Sequence, residues 1–126
     1  MIKKDILYSA LRHMGKKYIK EPYKSHWTPD CPVLGYCYVV SEVLSHRMGS
    51  DKVMPYRIKI SDTESHWFLK AQNGDVIDLT ADQYDYKLPY NTAKKASFLT
   101  KSLSKRGQVL EQYIKEEQEK RLPPLT

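Results

Sequence analysis

The apolar residues of the first fifty positions form two runs with helical spacing, separated by an irregular segment. The first run predicts an amphipathic helix that ends near Gly15, with Ile2, Ile6, Leu7, Ala10, Leu11 and Met14 on its apolar face. Residues 20–35 contain three prolines and a glycine, which predicts a surface loop. The second run predicts a central helix from about Tyr36 to Met48, followed by Gly49, with Val39, Val40, Val43, Leu44 and Met48 as its stripe.

The second half of the chain changes to the alternation typical of strands. Residues 53–60 predict one strand, and residues 64–80 predict a β-hairpin that turns at Asn73-Gly74. A last helix is expected from about residue 105 to 121, where Val109, Leu110, Tyr113 and Ile114 face inward and Pro123 and Pro124 stop it. We therefore expect one α+β domain over residues 1–126, in which a three-stranded antiparallel sheet spans 53–80 and the C-terminal helix covers an edge.

The Asn73-Gly74 signal permits two hairpin registers, which place His66 and Asp78 differently. A two-residue turn would put these side chains on opposite faces, whereas a three-residue loop with a bulge at Gly74 would make them diagonal neighbours. The three-residue loop separates apolar from polar side chains better, because it places five apolar residues on one face of the hairpin: Trp67, Leu69, Ala71, Ile77 and Leu79. We therefore predict that Ala71 pairs with Asp75.

Composition and charge exclude several classes of protein. The chain has 40% hydrophobic residues and no stretch of about 20 apolar residues, so no membrane span is expected. Charged residues interrupt the N-terminal apolar run, so no signal peptide is expected and the default location is the cytoplasm. The net charge of +6 comes from the terminal segments, since residues 25–92 hold six Lys/Arg against nine acids. A basic groove for nucleic acid is therefore not expected around the central motifs.

The two cysteines, Cys31 and Cys37, are too few for a disulfide framework. Their spacing matches neither the Cys-x-x-Cys redox motif nor a structural zinc site. A cluster with His26 and His66 remains conceivable, but neither a metal nor a cofactor is expected.

Cys37 lies at the first turn of the predicted central helix, where unpaired N–H groups and the helix dipole stabilise a thiolate. Gly35 would let backbone approach this cysteine and would leave the Cys37 N–H available to an oxyanion. A thiolate, a histidine on an adjoining strand and a carboxylate that orients the imidazole are the groups required for acyl transfer by cysteine. Cysteine at a helix start, histidine at a strand start and aspartate on the next strand is the chain order of papain-like and transglutaminase-like hydrolases.

Three motifs, "LGYC", "SHWFL" and "NGDVIDLTADQY", together resemble the YunG-like family of small bacterial proteins over about residues 23–90. The resemblance implies a papain-like Cys-His-Asp architecture, in which a helix carrying the cysteine packs on a small antiparallel sheet. Cys37, His66 and Asp78 occupy the matching positions. Tyr36 stands where the family tends to have glutamine, so no glutamine before Cys37 provides a second oxyanion donor.

These observations give a hypothesis of a thiol-dependent hydrolase or acyl transferase that acts on a protein, a peptide or a small amide. Cys37 would attack the carbonyl, His66 would carry the proton and Asp78 would fix the imidazole, with Asp82 as the rival orienting acid. Further candidates for the cleft or the oxyanion site are Tyr36, Trp27 and Trp67. The alternative is a binding module of the same fold that holds an anionic partner through its basic termini.

Overall fold

The computed structural model describes residues 1–123, in which a layer of helices packs on one face of a small sheet. The helices are α1 (Lys4–Met14), α2 (Tyr23–His26), α3 (Cys37–Met48) and α4 (Lys105–Lys120). The strands are β1 (Val53–Lys59), β2 (Ser65–Ala71), β3 (Val76–Ile77) and β4 (Lys94–Lys95). Short 3-10 helices occupy Ala81–Gln83 and Tyr90–Thr92. This architecture confirms the α+β class.

The helices follow the apolar spacing of the sequence. Helix α1 ends at Gly15 and buries the five predicted residues that lie within it: Ile6, Leu7, Ala10, Leu11 and Met14. Helix α3 ends at Gly49 and is buried around most of its circumference from Val39 to Ser45, since both the sheet and α4 pack against it. Each large aliphatic side chain removed from water in this core contributes about 1.5 to 3 kcal/mol. Among residues 1–123, no helix has the length and apolar composition needed to cross a bilayer.

The C-terminal helix differs from its predicted position. Helix α4 packs along α1 and α3, with Leu110 and Ile114 buried between them, and does not cover a sheet edge. An apolar stripe shows that a helix needs a partner but does not say which surface it meets. The predicted stop includes Pro124, which lies outside the described residues.

The sheet is antiparallel with the order β3-β2-β1-β4. It has one strand more than predicted, because Lys94 and Lys95 pair with Arg57 and Tyr56 of β1. Strand β3 is shorter than the predicted strand and contains only Val76 and Ile77.

The hairpin adopts the three-residue loop. The Ala71 N–H donates to Asp75 O at 2.9 Å, and the Gly74 N–H donates to Ala71 O at 2.9 Å. Gly74 has φ +91°, a conformation that residues with a side chain rarely adopt. Leu69 therefore lies opposite Ile77, and the predicted register is confirmed.

This register gives the sheet two different faces. Leu69 and Val53 belong to the main core beneath the helices, and Ile77 and Leu79 pack against it. The other face carries a second, smaller core of Ile58, Phe68 and Leu88, which the connection formed by residues 81–93 covers. His66 and Asp78 lie on this second face, under the connection.

A buried carboxylate fixes the start of α4. Glu42 of α3 accepts hydrogen bonds from Ser104 N at 3.1 Å and Ser104 Oγ at 2.7 Å, and Ser104 Oγ in turn accepts from Gly107 N. A Cβ atom at Gly107 would lie 2.6 Å from Glu42 Oε1. The capping network therefore requires glycine at this helical position.

We predict that Gly107→Ala destabilises the protein, although alanine ordinarily favours a helix by about 1 kcal/mol over glycine. The added methyl group must displace Glu42, and such overpacking costs about 1 to 3 kcal/mol. Urea denaturation measures the change. Lys115→Ala at an exposed position of α4 is the control and should be close to neutral; a Gly107→Ala protein more stable than the wild type would contradict the clash.

Candidate functional site

His66 and Asp78 form a buried pair on the covered face of the sheet. The distance from His66 Nε2 to Asp78 Oδ2 is 2.7 Å, and the side chains are 0% and 3% exposed. His66 is the second residue of β2, and Asp78 follows the last residue of β3. The bulge register brings them to one face as diagonal neighbours.

Three further donors hold the Asp78 carboxylate. Tyr90 OH donates to Oδ2 at 2.8 Å, and Oδ1 accepts from Thr80 N and Thr80 Oγ1, both at 3.2 Å. Burial, together with the nearby Asp78 charge, raises the pKa of Tyr90 above its ordinary value, so its phenol remains a donor. The carboxylate is therefore fixed in one orientation toward His66.

The opposite imidazole nitrogen faces Gln83. Gln83 Nε2 lies 3.4 Å from His66 Nδ1 and donates to Thr80 O at 3.2 Å. Because Nδ1 can accept a hydrogen bond only when it carries no proton, this contact depends on the ionisation state of the ring.

Cys37 completes the cluster from the helical side. It is the first residue of α3, is half-buried, and has a free thiol. Burial by itself lowers the pKa of His66, but hydrogen bonding to Asp78 and Cys37 and the charges of both outweigh it and raise the pKa to about 9. The imidazole is therefore protonated at neutral pH and lies within electrostatic reach of the sulfur.

Two tyrosines, Tyr84 and Tyr23, lie beside the cluster. The Tyr84 ring meets the His66 ring edge to face, with 5.1 Å between the centroids. Tyr23 OH donates to Glu64 Oε2 at 3.0 Å. Burial, followed by the charges of Glu64 and Cys37, raises the pKa of Tyr84, and burial with the Glu64 contact raises that of Tyr23 to about 12. Both phenols are therefore neutral donors beside the cluster.

The rival acid Asp82 has other partners. It accepts a hydrogen bond from Tyr8 OH at 2.7 Å and forms an ion pair with Lys4 of α1. Its backbone carbonyl accepts from the Cys31 thiol at 3.7 Å. Asp78 is thus the carboxylate that contacts His66. No group of three or more His, Cys, Asp and Glu side chains within residues 1–123 is arranged to hold a metal ion.

The other sequence-predicted candidates lie apart from the His66 ring. The Tyr36 side chain is buried, and its hydroxyl donates to Gly15 O at 2.6 Å. Trp27 Nε1 donates to Pro32 O at 3.0 Å, and His26 is exposed at the end of α2. Trp67 stacks on Phe98, on the helical face of the sheet.

A groove of about 930 Å³ lies near Phe98. It is lined by the end of α3, the start of β1 and residues 96–101. It shares no lining residue with the cluster around Cys37 and His66.

Sequence reasoning did not assign Gln83, Tyr84 and Tyr90 to the site. Each lies in the polar, tyrosine-rich connection after the hairpin, where no periodicity predicts which way a side chain faces. The only signal was the "TADQY" motif, in which Gln83 follows the more obvious Asp82.

Comparison with known proteins assigns the chain to a family. The family model described as YunG protein matches residues 3–121, and thus includes Cys37, His66, Asp78 and Gln83. No curated protein and no solved structure is significantly similar to the chain. The match covers nearly the whole chain, and it agrees with the motifs around the cysteine, the histidine and the aspartate: the chain belongs to the YunG protein family.

Proposed function

We propose that this protein is a thiol-dependent hydrolase or acyl transferase in which Cys37, His66 and Asp78 act as a catalytic triad. The observation that carries the proposal is the buried His66–Asp78 pair at 2.7 Å, together with the half-buried Cys37, which acts on the imidazole from the N-terminus of α3. A cysteine nucleophile, a histidine base and an orienting carboxylate are the side chains that nucleophilic acyl transfer by cysteine uses.

In the acylation step, the Cys37 thiolate attacks the substrate carbonyl and forms a carbon–sulfur bond. His66 holds the proton that left the thiol and gives it to the departing amine, alcohol or thiol as the bond to the leaving group breaks. In the second step His66 removes a proton from water or from an acceptor amine, which attacks the thioester and releases Cys37. Asp78 remains ionised throughout and stabilises the imidazolium.

The electrostatics of the pair support this assignment. A pKa of about 9 for His66 means that the imidazolium persists at neutral pH, and its positive charge stabilises the adjacent thiolate. Helix α3 also stabilises the thiolate, because Cys37 lies at its N-terminus, where the unpaired N–H groups carry partial positive charge.

Two N–H groups can stabilise the oxyanion. The Cys37 N–H is at the first position of α3 and has no acceptor within the helix. One N–H of Gln83 is used by Thr80 O, and the other points to His66 Nδ1. When Nδ1 is protonated, this second N–H has no acceptor there and is available to a substrate oxygen. Gln83 thus supplies the donor that the sequence before Cys37 lacks.

We further propose that the chain has a papain-like architecture. The chain order is cysteine at the start of α3, histidine at the start of β2 and aspartate after β3, with α3 packed on β1 and β2. This order, rather than similarity to a solved structure, supports the papain-like assignment.

A first test is alkylation of Cys37 by iodoacetamide at about pH 6, where ordinary thiols are almost entirely protonated. We expect Cys37 to react at least about tenfold faster than Cys31, whose pKa is raised by burial. Peptide mass mapping separates the two sites. In His66→Gln and in Asp78→Asn, Cys37 should no longer be alkylated faster than Cys31. Equal alkylation rates at the two cysteines of the wild type would show that Cys37 is not the nucleophile.

The Gln83 assignment is tested with p-nitrophenyl acetate as an activated ester. Gln83→Ala should slow acylation of Cys37 by about tenfold or more, because one oxyanion donor is lost. Alkylation by iodoacetamide forms no oxyanion and should not change. Gln112→Ala, an exposed glutamine of α4, is the matched control. Loss of both reactions together would instead indicate that Gln83 acts on the thiolate.

The His66 pKa gives a prediction of pH dependence. A histidine NMR titration should find His66 titrating near pH 9 in the wild type and at clearly lower pH in Asp78→Asn. Because the folded pKa is raised above 6.5, the pair's contribution to stability is fully present below about pH 6.5 and is lost as the pH rises through about 9.

Urea denaturation of the same two proteins checks the sign of this effect. The stability difference between wild type and Asp78→Asn should be largest near pH 6 and should shrink toward pH 10. A difference that grows with pH would show that His66 is neutral in the folded protein.

A further inference from the structure

Glu64 lies at the edge of the proposed triad. It immediately precedes β2 and is two residues before His66. Its carbonyl accepts hydrogen bonds from Ile60 N at 2.9 Å and Ser61 N at 3.1 Å, which fixes the backbone at this point. The β1–β2 turn therefore fixes the backbone of Glu64 relative to the strand that carries His66.

Tyr23 connects Glu64 to the segment that carries Cys37. Its hydroxyl donates to Glu64 Oε2 at 3.0 Å. A Cβ atom placed on Gly35 would lie 3.0 Å from Tyr23 Cβ, and Gly35 adopts φ +82° just before Cys37. Tyr23 thus packs directly on the turn that leads into α3, and its hydrogen bond to Glu64 bridges the cysteine side and the histidine side of the site.

No basic side chain within residues 1–123 neutralises the charge of Glu64. None of the ion pairs found among residues 1–123 involves Glu64, and only its Oε2 atom has a hydrogen-bond donor there. Its charge acts on both Tyr23 and Tyr84, and so does that of Cys37. The Glu64 carboxylate, with one oxygen free of donors among residues 1–123, and the Cys37 thiol therefore lie around the same two tyrosine rings.

We propose that Glu64, held by Tyr23, makes the Cys37 site selective for substrates that carry a positive charge beside the reacting carbonyl. The free carboxylate oxygen would pair with an ammonium or guanidinium group, and the rings of Tyr23 and Tyr84 would add cation–π attraction. The substrate class is thus a peptide or amide with a basic side chain or a free amine next to the bond that is attacked. This inference rests on the proposed function, since it concerns the same thiol.

The test measures the charge preference of Cys37 directly and needs no natural substrate. Methanethiosulfonate reagents of similar size carry a trimethylammonioethyl (cationic), a hydroxyethyl (neutral) or a sulfonatoethyl (anionic) group on sulfur. The thiolate attacks that sulfur, a disulfide to the substituted ethanethiol forms, and the S–SO2 bond breaks to release methanesulfinate. The rate of modification at Cys37 is measured for each reagent in the wild type, in Glu64→Gln and in Asp62→Asn. Asp62 is the matched control because it is a fully exposed acid in the same turn, 98% accessible.

We expect the ratio of cationic to anionic rates at Cys37 to fall about fivefold or more in Glu64→Gln and to stay unchanged in Asp62→Asn, as expected for one nearby charge. Salt at about 0.5 M should reduce the ratio in the wild type. Tyr23→Phe removes the hydroxyl that holds Glu64 but keeps the ring. It should lower the ratio of cationic to anionic rates less than Glu64→Gln does.

The outcomes separate the two proposals. If Cys37 reacts rapidly with the neutral reagent in a His66-dependent way but Glu64→Gln leaves the charge ratio unchanged, the selectivity inference is wrong and the proposed function stands. If Cys37 reacts slowly with all three reagents and His66→Gln has no effect, the proposed function itself fails.

Discussion

The three-residue turn at positions 72–74 determines which residues of the hairpin share a face. Gly74 at φ +91° lets Ala71 pair with Asp75, and every later position of β3 follows from that pairing. A turn shorter by one residue would place Asp78 beneath the helices and would turn Ile77 toward His66. Both the apolar core and the His66–Asp78 pair therefore depend on this one loop, and the hydrophobic pattern stabilises the register that also assembles the site.

The connection formed by residues 81–93 gives the pair its properties. It covers the polar face of the sheet with its own small core and removes His66 from water entirely. In that environment the attraction between imidazolium and carboxylate is stronger than at a surface, but only if the remaining carboxylate lone pairs are satisfied. Tyr90 and Thr80 satisfy them, and Gln83 and Tyr84 contact the ring itself. Because burial by itself lowers the pKa of His66, the raised pKa depends on the contacts of the ring with Asp78 and Cys37.

Prediction from the sequence succeeded where spacing carries information and failed where it does not. Helices α1, α3 and α4 were found from apolar spacing, and the hairpin register was chosen by comparing the faces that two turns would produce. Strand β4 was missed because Lys94-Lys95 has no strand signal and is ordered by pairing with β1. The position of α4 was wrong because its apolar stripe fits either a sheet edge or another helix, and in the fold it packs against α1 and α3.

The sequence by itself determined helices α1, α3 and α4 and the face on which each residue of the hairpin lies, and it favoured Asp78 over Asp82 while leaving that choice open. These follow from periodicity, which is a property of the local backbone. Only the tertiary structure decided which residues lie around Cys37, His66 and Asp78: Gln83, Tyr84, Tyr90, and the hydrogen-bonded Tyr23–Glu64 pair. They come from irregular segments far apart in the chain, and their side-chain directions are set by long-range packing on a sheet face rather than by any repeat in the sequence.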